Sequence, residues 1–176
     1  AELKEGRGSG LTKKNILYQV ASGLDYVHRL KILALNLNHT NIRVVTINGS
    51  SKIKLYNFEQ SIELKPNQTF LYSCPIYEGF VGIYSFVAPE IWLTQQATQS
   101  SDIYSLGSVF FYVYTDGKLM PTIDAPAQEL KVVENFKAIL DEKKYFEGFL
   151  LVELLSKMIN FVRYSRASTS VIKNDP

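Results

Sequence analysis

The sequence predicts a single α+β domain that is mainly α-helical. Amphipathic helical spacing recurs along most of the chain, residues 101–114 form a helix-length run that is apolar on all faces, and Asn48-Gly49 lies between two β-rich runs. A helix that is apolar all round must be buried, and Asn-Gly between such runs is a strong hairpin signal. We therefore expect a helical bundle around a buried central helix, with a small β-hairpin.

The composition is that of an ordinary globular domain. Of 176 residues, 46% are hydrophobic and 20% are charged, with a net charge of +2. So small a positive excess does not indicate a nucleic-acid-binding protein. The longest apolar run, residues 103–114, is shorter than the ~20 residues of a membrane-spanning helix, so we expect no membrane insertion by this segment. The single cysteine, Cys74, excludes an internal disulfide and favours the cytoplasm, or the cytoplasmic part of a larger protein.

The first elements are a linker and an amphipathic helix. Residues 1–11 carry charge and glycines without an apolar period, which is typical of a linker. Thr12 is a good N-cap, and we interpret His28-Arg29 as a polar helix end whose cations are favourable at the C-terminus. Between these ends the apolar residues recur at helical spacing: Ile16, Leu17, Val20, Leu24 and Val27.

The middle of the chain contains a loop, a hairpin and a long irregular segment. The predicted strands of the hairpin are residues 42–47 and 52–56. His39, in the loop before them, has no second metal ligand nearby in the sequence, and we interpret it as a loop residue. Residues 57–90 show few helical signals, and a loop of this length is normally functional or mobile.

Three more helices follow the central one. A proline-containing loop at residues 121–127 precedes helical spacing at residues 130–140, and residues 149–162 are again strongly apolar. A short final helix is predicted at residues 167–173, directly after Arg166.

Short motifs occur in an order that is more specific than any one of them. From Ala34 the chain reads A-L-N-L-N-H-T-N, at the spacing of the H-R-D-L-x-x-x-N catalytic loop, and from Asn57 it reads N-F-E where D-F-G is expected after the hairpin. An A-P-E motif ends at Glu90, and S-D-I-Y-S-L-G begins at Ser101. In this order, residues 12–176 resemble the C-terminal lobe of the protein kinase superfamily. By the same resemblance, residues 1–11 are the linker from a small lobe that would precede Ala1.

The resemblance implies five residues that hold the fold. It implies that Asp102 lies under the backbone of the catalytic loop, and that Arg166 forms a buried ion pair with Glu90. Breaking such a pair from one side leaves a stranded charge. Phe58 and Gly107 are the other structural anchors that we expect.

The positions that carry out phosphoryl transfer in the resembled family are altered. Asn36 replaces the catalytic aspartate and cannot accept a proton in a useful pH range. Asn57 replaces the metal-binding aspartate, which leaves Asn57 and Asn41 as neutral amides where magnesium prefers carboxylate oxygen. Asn38 stands where many kinases have a lysine, and Arg43 occupies the apolar position under the adenine ring. The resemblance thus implies degenerate catalytic and metal sites, and argues against nucleotide binding by Asn41, Arg43 and Asn57.

The positions that hold the fold in the resembled family are retained, and the positions that carry out the reaction are altered. This combination predicts a pseudokinase. Glu59 in place of glycine adds negative charge near the phosphates, and Leu35 in place of arginine removes the usual partner of a phosphorylated segment. We expect an impaired lobe that needs no cofactor. It would act as a protein-interaction or allosteric module on a protein partner or on a neighbouring domain of its own chain, through residues 60–87 and 116–140.

Two alternatives remain open at this point. One is a divergent active protein kinase, of serine/threonine or tyrosine type, that uses ATP and Mg²⁺ and whose small lobe is not part of this chain. The other is an unrelated, mainly helical domain that matches the motifs by chance. The second alternative predicts that Asp102 is far from residues 34–41 and that Glu90 does not contact Arg166.

Overall fold

The computed structural model of the protein describes residues 10–71, 84–145 and 148–174. Most of the predicted linker, and residues 72–83 with Tyr72, Cys74 and Tyr77, lie outside these ranges. Six α-helices occur in the described ranges: α1 Lys13–Arg29, α2 Pro89–Thr94, α3 Gln99–Tyr114, α4 Pro126–Glu142, α5 Gly148–Ile159 and α6 Thr169–Lys173. The strands are short: β1 Ile32–Leu33, β2 Ile42–Ile47, β3 Ser50–Leu55, β4 Ile62–Glu63, β5 Phe70–Leu71 and β6 Ala97–Thr98. The mainly α, α+β class is confirmed.

Helix α1 forms where the sequence predicts it. The Thr12 side chain accepts a hydrogen bond from the backbone N–H of Asn15 at 3.1 Å, which satisfies one of the unpaired donors of the first turn. The predicted apolar stripe is buried against the rest of the bundle: Ile16, Leu17, Val20, Leu24 and Val27. The helix ends where Lys31 adopts a left-handed φ of 62°.

Helix α3 is the buried centre of the fold. Every residue from Ser101 to Tyr114 is buried, as an all-round apolar helix requires. Its first turn is closed by a capping box in which Thr98 N–H donates to Ser101 Oγ at 3.0 Å. On α4, the ring of Phe136 lies 5.4 Å from that of Phe111, so aromatic packing joins the two helices.

The hairpin of β2 and β3 has the predicted turn. Asn48 and Gly49 both have positive φ, at 50° and 75°, which is the backbone that a two-residue type I′ turn requires. The register runs from Ile42 opposite Leu55 to Ile47 opposite Ser50. The hairpin lies on α1, where the backbone N–H of Ile53 donates to Gln19 Oε1 at 3.0 Å.

The segment predicted to be irregular is paired with the core at two places. Strand β4 pairs with β1, with Ile32 opposite Glu63, and β5 pairs with β6, with Phe70 opposite Thr98. Strands of two residues cannot show a period in the sequence, so the prediction of an irregular segment missed them. Both β4 and β5 precede residues 72–83, so the pairings fix the chain on the N-terminal side of that segment.

Three helix boundaries differ from the prediction. Helix α4 begins at Pro126 instead of residue 130, because proline is well suited to the first helical position. Helix α5 ends at Ile159, and a 3₁₀ turn at Arg163–Ser165 separates it from α6, which begins at Thr169. The apolar residues that suggested a longer α5 continue past the helix into this turn.

Candidate functional site

The loop of residues 34–41 rests on the buried carboxylate of Asp102. Asp102 Oδ2 accepts from the backbone N–H of Ala34, and Oδ1 accepts from that of Leu35, both at 2.8 Å. Leu35 has a left-handed φ of 57°, a conformation that costs a non-glycine residue about 1–2 kcal/mol. The two hydrogen bonds hold this strained residue in place, as the sequence predicts for Asp102.

His28 has a structural position that the sequence analysis missed. Its Nε2 lies 2.9 Å from Asp102 Oδ2, and the His28 side chain is buried. Because a carboxylate oxygen can only accept, Nε2 carries the hydrogen of this bond. His28 is in the last turn of α1, as predicted, and it also anchors Asp102 from there, which the interpretation as a polar helix end missed.

Asparagine side chains tie the loop to itself. Asn38 Nδ2 donates to Asn36 Oδ1 at 2.9 Å, and Asn41 Nδ2 donates to the backbone carbonyl of Asn36 at 2.9 Å. Asn38 Oδ1 accepts from Thr40 N–H at 2.9 Å and from Thr40 Oγ1 at 2.6 Å. Asn57 Nδ2 lies at the outer limit of a hydrogen bond, 3.5 Å from Asn41 Oδ1. The structure thus brings together all four asparagines that the sequence singles out.

These amides offer neither a general base nor an anionic metal ligand. An amide oxygen is neutral and is not protonated in the physiological pH range. In the described parts of the chain, no group of three or more His, Cys, Asp or Glu side chains could hold a metal ion. Asn36, Asn41 and Asn57 line a cleft of about 10 Å³, roughly the space of one water molecule.

A cation and an aromatic ring are in contact next to this cleft, which the ring of Tyr56 helps to line. Arg43 is exposed, and its guanidinium carbon lies 5.3 Å from the ring centroid of Tyr56, in cation–π range. Tyr56, the residue before Asn57, was missed in the sequence analysis. A large side chain directly before the N-F-E turn is the signal that could have identified it.

Phe58 is not a buried anchor in the described structure. Its side chain is 41% exposed, and its role as an anchor of the fold stays a prediction. It lies at the edge of the cleft with Asn57 and Leu55. Glu59, next to it, is exposed.

The predicted ion pair between Glu90 and Arg166 is present and buried. The two guanidinium nitrogens of Arg166 donate to the two carboxylate oxygens of Glu90 at 2.7 and 2.8 Å. Arg166 also donates to the backbone carbonyls of Ser100 and Asn160, at 2.9 and 2.7 Å. Ser101 Oγ donates to Glu90 Oε1 at 2.7 Å. The pair connects the start of α2, the start of α3 and the turn before α6.

Gly107 allows two helices to approach closely. A Cβ at this position would lie 2.6 Å from Ile159 Cγ2 and 2.9 Å from Met158 Cβ, both on α5. Distances this short are not tolerated without a shift of the backbone. Gly107 thus sets the spacing between α3 and α5.

His39 is more than a loop residue. Its ring stacks on Tyr112 of α3 with centroids 4.5 Å apart, and it lies 5.4 Å from the ring of Phe86. The 3₁₀ turn His39–Asn41 is therefore packed on the central helix, which adds an aromatic contact to the anchoring by Asp102. The interpretation of His39 as an ordinary loop residue missed this contact.

The comparison with known families agrees with this geometry. The sequence matches the protein kinase domain family over residues 4–176. The chain belongs to this family. The alternative of an unrelated helical domain is wrong, because Asp102 contacts the loop and Glu90 contacts Arg166.

Several kinases are similar to this chain. A protein of Acanthamoeba polyphaga mimivirus that is classed as a serine/threonine-protein kinase is 32% identical over 90% of this chain and 54% of its own length. The serine/threonine-protein kinase/endoribonuclease ire-1 of Caenorhabditis elegans is 23% identical over 93% of this chain and 17% of its own. The sensor for unfolded proteins in the ER, ire1, of Schizosaccharomyces pombe is 26% identical over 92% of this chain and 17% of its own length. The kinase-family chain thus spans about half of the viral relative and a sixth of the other two.

The described helices of this kinase-family chain show no candidate membrane span. Within the three described ranges, no helix combines the length and the apolar character that crossing a bilayer requires. The longest of these helices, α1 and α4, have 17 residues each.

Proposed function

We propose that this kinase-family lobe is a pseudokinase, which does not transfer phosphoryl groups and regulates a protein by binding it. The observation that carries the proposal is the asparagine-bonded loop, in which the side chain of Asn36 accepts from Asn38 at 2.9 Å. A neutral amide in a satisfied hydrogen bond occupies the position of the general base. The single cysteine, Cys74, supports a cytoplasmic location for this function.

The chemistry of the altered positions supports loss of activity by a large factor. Removing a positioned general base typically slows a reaction by ~10²- to 10⁴-fold. Neutral Asn41 and Asn57 hold Mg²⁺ weakly, because this ion is bound through carboxylates and phosphate oxygens. The two defects affect different parts of the reaction, which are proton transfer from the substrate and neutralisation of phosphate charge by the metal.

The charges around the cleft are unfavourable for a nucleotide, which supports the proposal that nucleotide binding is weak. Arg43 occupies the position that is apolar in the resembled family and lies under the adenine ring there. Its guanidinium forms a cation–π contact with the ring of Tyr56. Glu59, the last residue of the N-F-E motif, adds an exposed negative charge, and a negative charge repels phosphate at short range. We expect ATP affinity to be weak and little affected by Mg²⁺.

The partner surface that we propose is an apolar groove between α2 and the loop before α4. The groove has a volume of about 300 Å³ and is lined by Tyr84, Trp92, Leu93 and Ile123, among others. Leu93 is 60% exposed, and Trp92 Nε1 has no hydrogen-bond partner among the described residues. Aromatic residues are enriched in the cores of interfaces. The occupant that we propose is an apolar segment of a partner protein or neighbouring domain.

A titration with labelled ATP, with and without Mg²⁺, tests the loss of catalysis in the complete protein. We expect no phosphoryl transfer and no metal-dependent binding in the micromolar range. The matched variant combines Asn36→Asp with Asn57→Asp, which restores both carboxylates. Micromolar, metal-dependent binding with transfer by the unaltered protein would overturn the proposal and favour a divergent active kinase, which similarity to the viral kinase also favours.

Hydrogen exchange in the complete protein tests the partner surface. We expect the backbone around Leu93 and Ile123 to be protected when the partner segment is bound, and Leu93→Asp to remove this protection. The control is Val171→Asp on α6, at an exposed valine outside the groove. Equal loss of protection in both variants, or none in either, would contradict the proposed surface.

A further inference from the structure

The hairpin of β2 and β3 has one basic face. Residues 42–56 contain Arg43, Lys52 and Lys54 but no aspartate or glutamate. The three cations are exposed, and within the described ranges none of them forms a salt bridge. Ile53 and Leu55, which alternate with the lysines, pack against the hydrophobic core instead. The hairpin therefore turns its apolar face towards the core and its cations away from it.

The register of the hairpin sets like charges against each other. Arg43 is the cross-strand partner of Lys54, and Lys52 lies opposite Val45 on the same face. Like charges directly opposite each other destabilise a sheet. The guanidinium of Arg43 gains a cation–π contact with the ring of Tyr56, 5.3 Å away, but the ring is neutral and leaves the charge uncompensated. An anionic ligand on this face would relieve the repulsion.

One edge of this sheet is suited to an extended chain. Within the described ranges the sheet consists of β2 and β3 alone, so each strand has an outer edge. The outer edge of β3 faces α1, where the N–H of Ile53 donates to Gln19. Val44 is the cross-strand partner of Ile53, and such a pair points its N–H groups outwards on both strands. Val44 and the exposed Thr46 therefore present backbone donors on the outer edge of β2.

We propose that this hairpin binds an acidic, extended segment of a partner protein, which adds to β2 as an antiparallel third strand. Side chains of an extended chain alternate between two faces, so acids at every second position all face the cations. Arg43 lies on the adjacent strand, and the lysines of β3 reach across β2 because strands are only about 4.8 Å apart. Complementary charge gives such a contact its specificity. This surface is separate from the groove beside α2, and the proposal goes beyond the loss of catalysis.

Fluorescence anisotropy with the complete protein tests the charge pattern. The probe is a labelled peptide in which four glutamates alternate with four threonines, and the matched control has the same composition with its glutamates contiguous. We expect the alternating peptide to bind about fivefold more tightly than the control, and to lose most of its affinity in 1 M salt, where charges are screened beyond ~3 Å. Equal affinities would show an unspecific effect of charge and overturn the proposal, as would tighter binding of an oligouridylate.

The edge of β2 is tested with backbone-methylated peptides. When an antiparallel strand turns its glutamates towards the cations, the N–H groups of its threonines point towards β2. Methylation of the threonine nitrogens removes these donors and is expected to weaken binding by about tenfold. The glutamate nitrogens point away from β2, so their methylation should change the affinity by less than about twofold. An equal or larger loss with methylated glutamates would refute the addition of a strand.

Charge variants separate binding from stability. Lys54→Gln is expected to weaken binding of the alternating peptide by about two- to fivefold, as for an exposed ion pair. Lys54→Glu is expected to weaken it further, yet to raise the melting temperature of the free protein, because opposite charges then face each other across the strands. Lys137→Gln, at an exposed position of α4, is the control for net charge.

Two outcomes with these variants would overturn the proposal. One is unchanged peptide affinity in Lys54→Glu, and the other is an equal loss of affinity in Lys54→Gln and Lys137→Gln. Leu93→Asp, in the groove beside α2, is expected to leave peptide binding unchanged. This variant distinguishes a failure of the hairpin surface from a failure of the groove.

Discussion

The anchors of the fold and the loop that they support use opposite chemistry. Asp102, Glu90 and Arg166 are buried and ionisable, and each is held by several hydrogen bonds. The loop above them is held by neutral amides, with Asn38 at its centre and only 1% exposed. In a protein kinase domain the two regions serve one reaction. In this chain the supporting region keeps its charges and the supported region has none at the reaction positions.

This difference shows that the shape of the loop does not depend on catalytic chemistry. Asp102 accepts hydrogen bonds from backbone N–H groups of the loop. These contacts therefore do not depend on which side chains the loop carries. Asn36 and Asn38 supply loop hydrogen bonds that need no charge. A charged side chain would have to be compensated by a partner or by solvent, whereas an amide does not carry that cost. The amides therefore keep the shape of the loop without a charged side chain at Asn36 or Asn38.

The largest expected effect is in the anchors. Arg166→Met leaves Glu90 as a buried charge without its partner, and we expect the free energy of unfolding to fall by about 3–5 kcal/mol. Chemical denaturation measures it. The control is the double variant Glu90→Met with Arg166→Met, which removes both charges and should recover part of the loss. If Arg166→Met lowered the free energy of unfolding by less than the double variant does, the ion pair would not be what holds these segments together.

The next effect tests the packing beneath the loop. Gly107→Ala places a Cβ 2.6 Å from Ile159 Cγ2, and we expect a loss of about 1–3 kcal/mol from overpacking. Gly23→Ala on α1 is the matched control. Its Cβ would meet Leu55 Cδ1 at 3.1 Å, the end of a side chain that can shift, and alanine favours a helix by up to ~1 kcal/mol over glycine. Similar losses in both variants would contradict the assignment of Gly107 as a spacing residue.

An effect of similar size is expected in the loop. Asn38→Ala removes the side chain that donates to Asn36 and accepts from Thr40, and we expect a loss of about 1–3 kcal/mol. Asn36→Asp is the control, because its Oδ1 still accepts from Asn38, and its loss should stay below about 1 kcal/mol. Thermal and chemical unfolding of both variants measure the difference. A larger loss for the Asn36 variant would mean that charge at this position is incompatible with the loop.

The sequence predicted the parts of this structure that local patterns determine. Helical spacing located α1 and α3, and Asn48-Gly49 located the hairpin turn, since these signals lie within a few residues. The resemblance supplied the contacts of Asp102 and the pair of Glu90 with Arg166. No periodicity reveals a contact of this kind, because the latter pair is 76 residues apart in the sequence.

What the sequence missed depends on tertiary contacts without a local signal. His28 contacts Asp102 across 74 residues, so its position at a helix end suggested only a favourable charge. His39 finds Tyr112 and Phe86 through the packing of the loop on α3. The exposed fraction of Phe58 is not revealed by its place in a motif, because burial depends on what surrounds a residue.

The smallest effect concerns a charge cluster outside the core. Asp116 accepts from Lys13 Nζ at 2.6 Å and also from Lys143, which joins the start of α1 to the end of α4. The side chain of Asp116 is 61% exposed, so we expect Asp116→Asn to cost under about 1 kcal/mol at pH 7. Unlike the pair of Glu90 and Arg166, this cluster should lose its effect in 1 M salt, where the Debye length is only ~3 Å.

The pH dependence of that effect follows from the pKa of Asp116. Partial burial alone would raise the pKa of this carboxyl, but the hydrogen bonds and charges of Lys13 and Lys143 outweigh it and hold the pKa below 3.8, the usual value. A carboxyl whose pKa is lowered by folding stabilises the protein above its unfolded pKa. The difference in melting temperature between the unaltered chain and Asp116→Asn should therefore be full at pH 6 and shrink as the pH falls below about 4. A difference that grows towards acid pH would mean that the lysines do not stabilise the carboxylate.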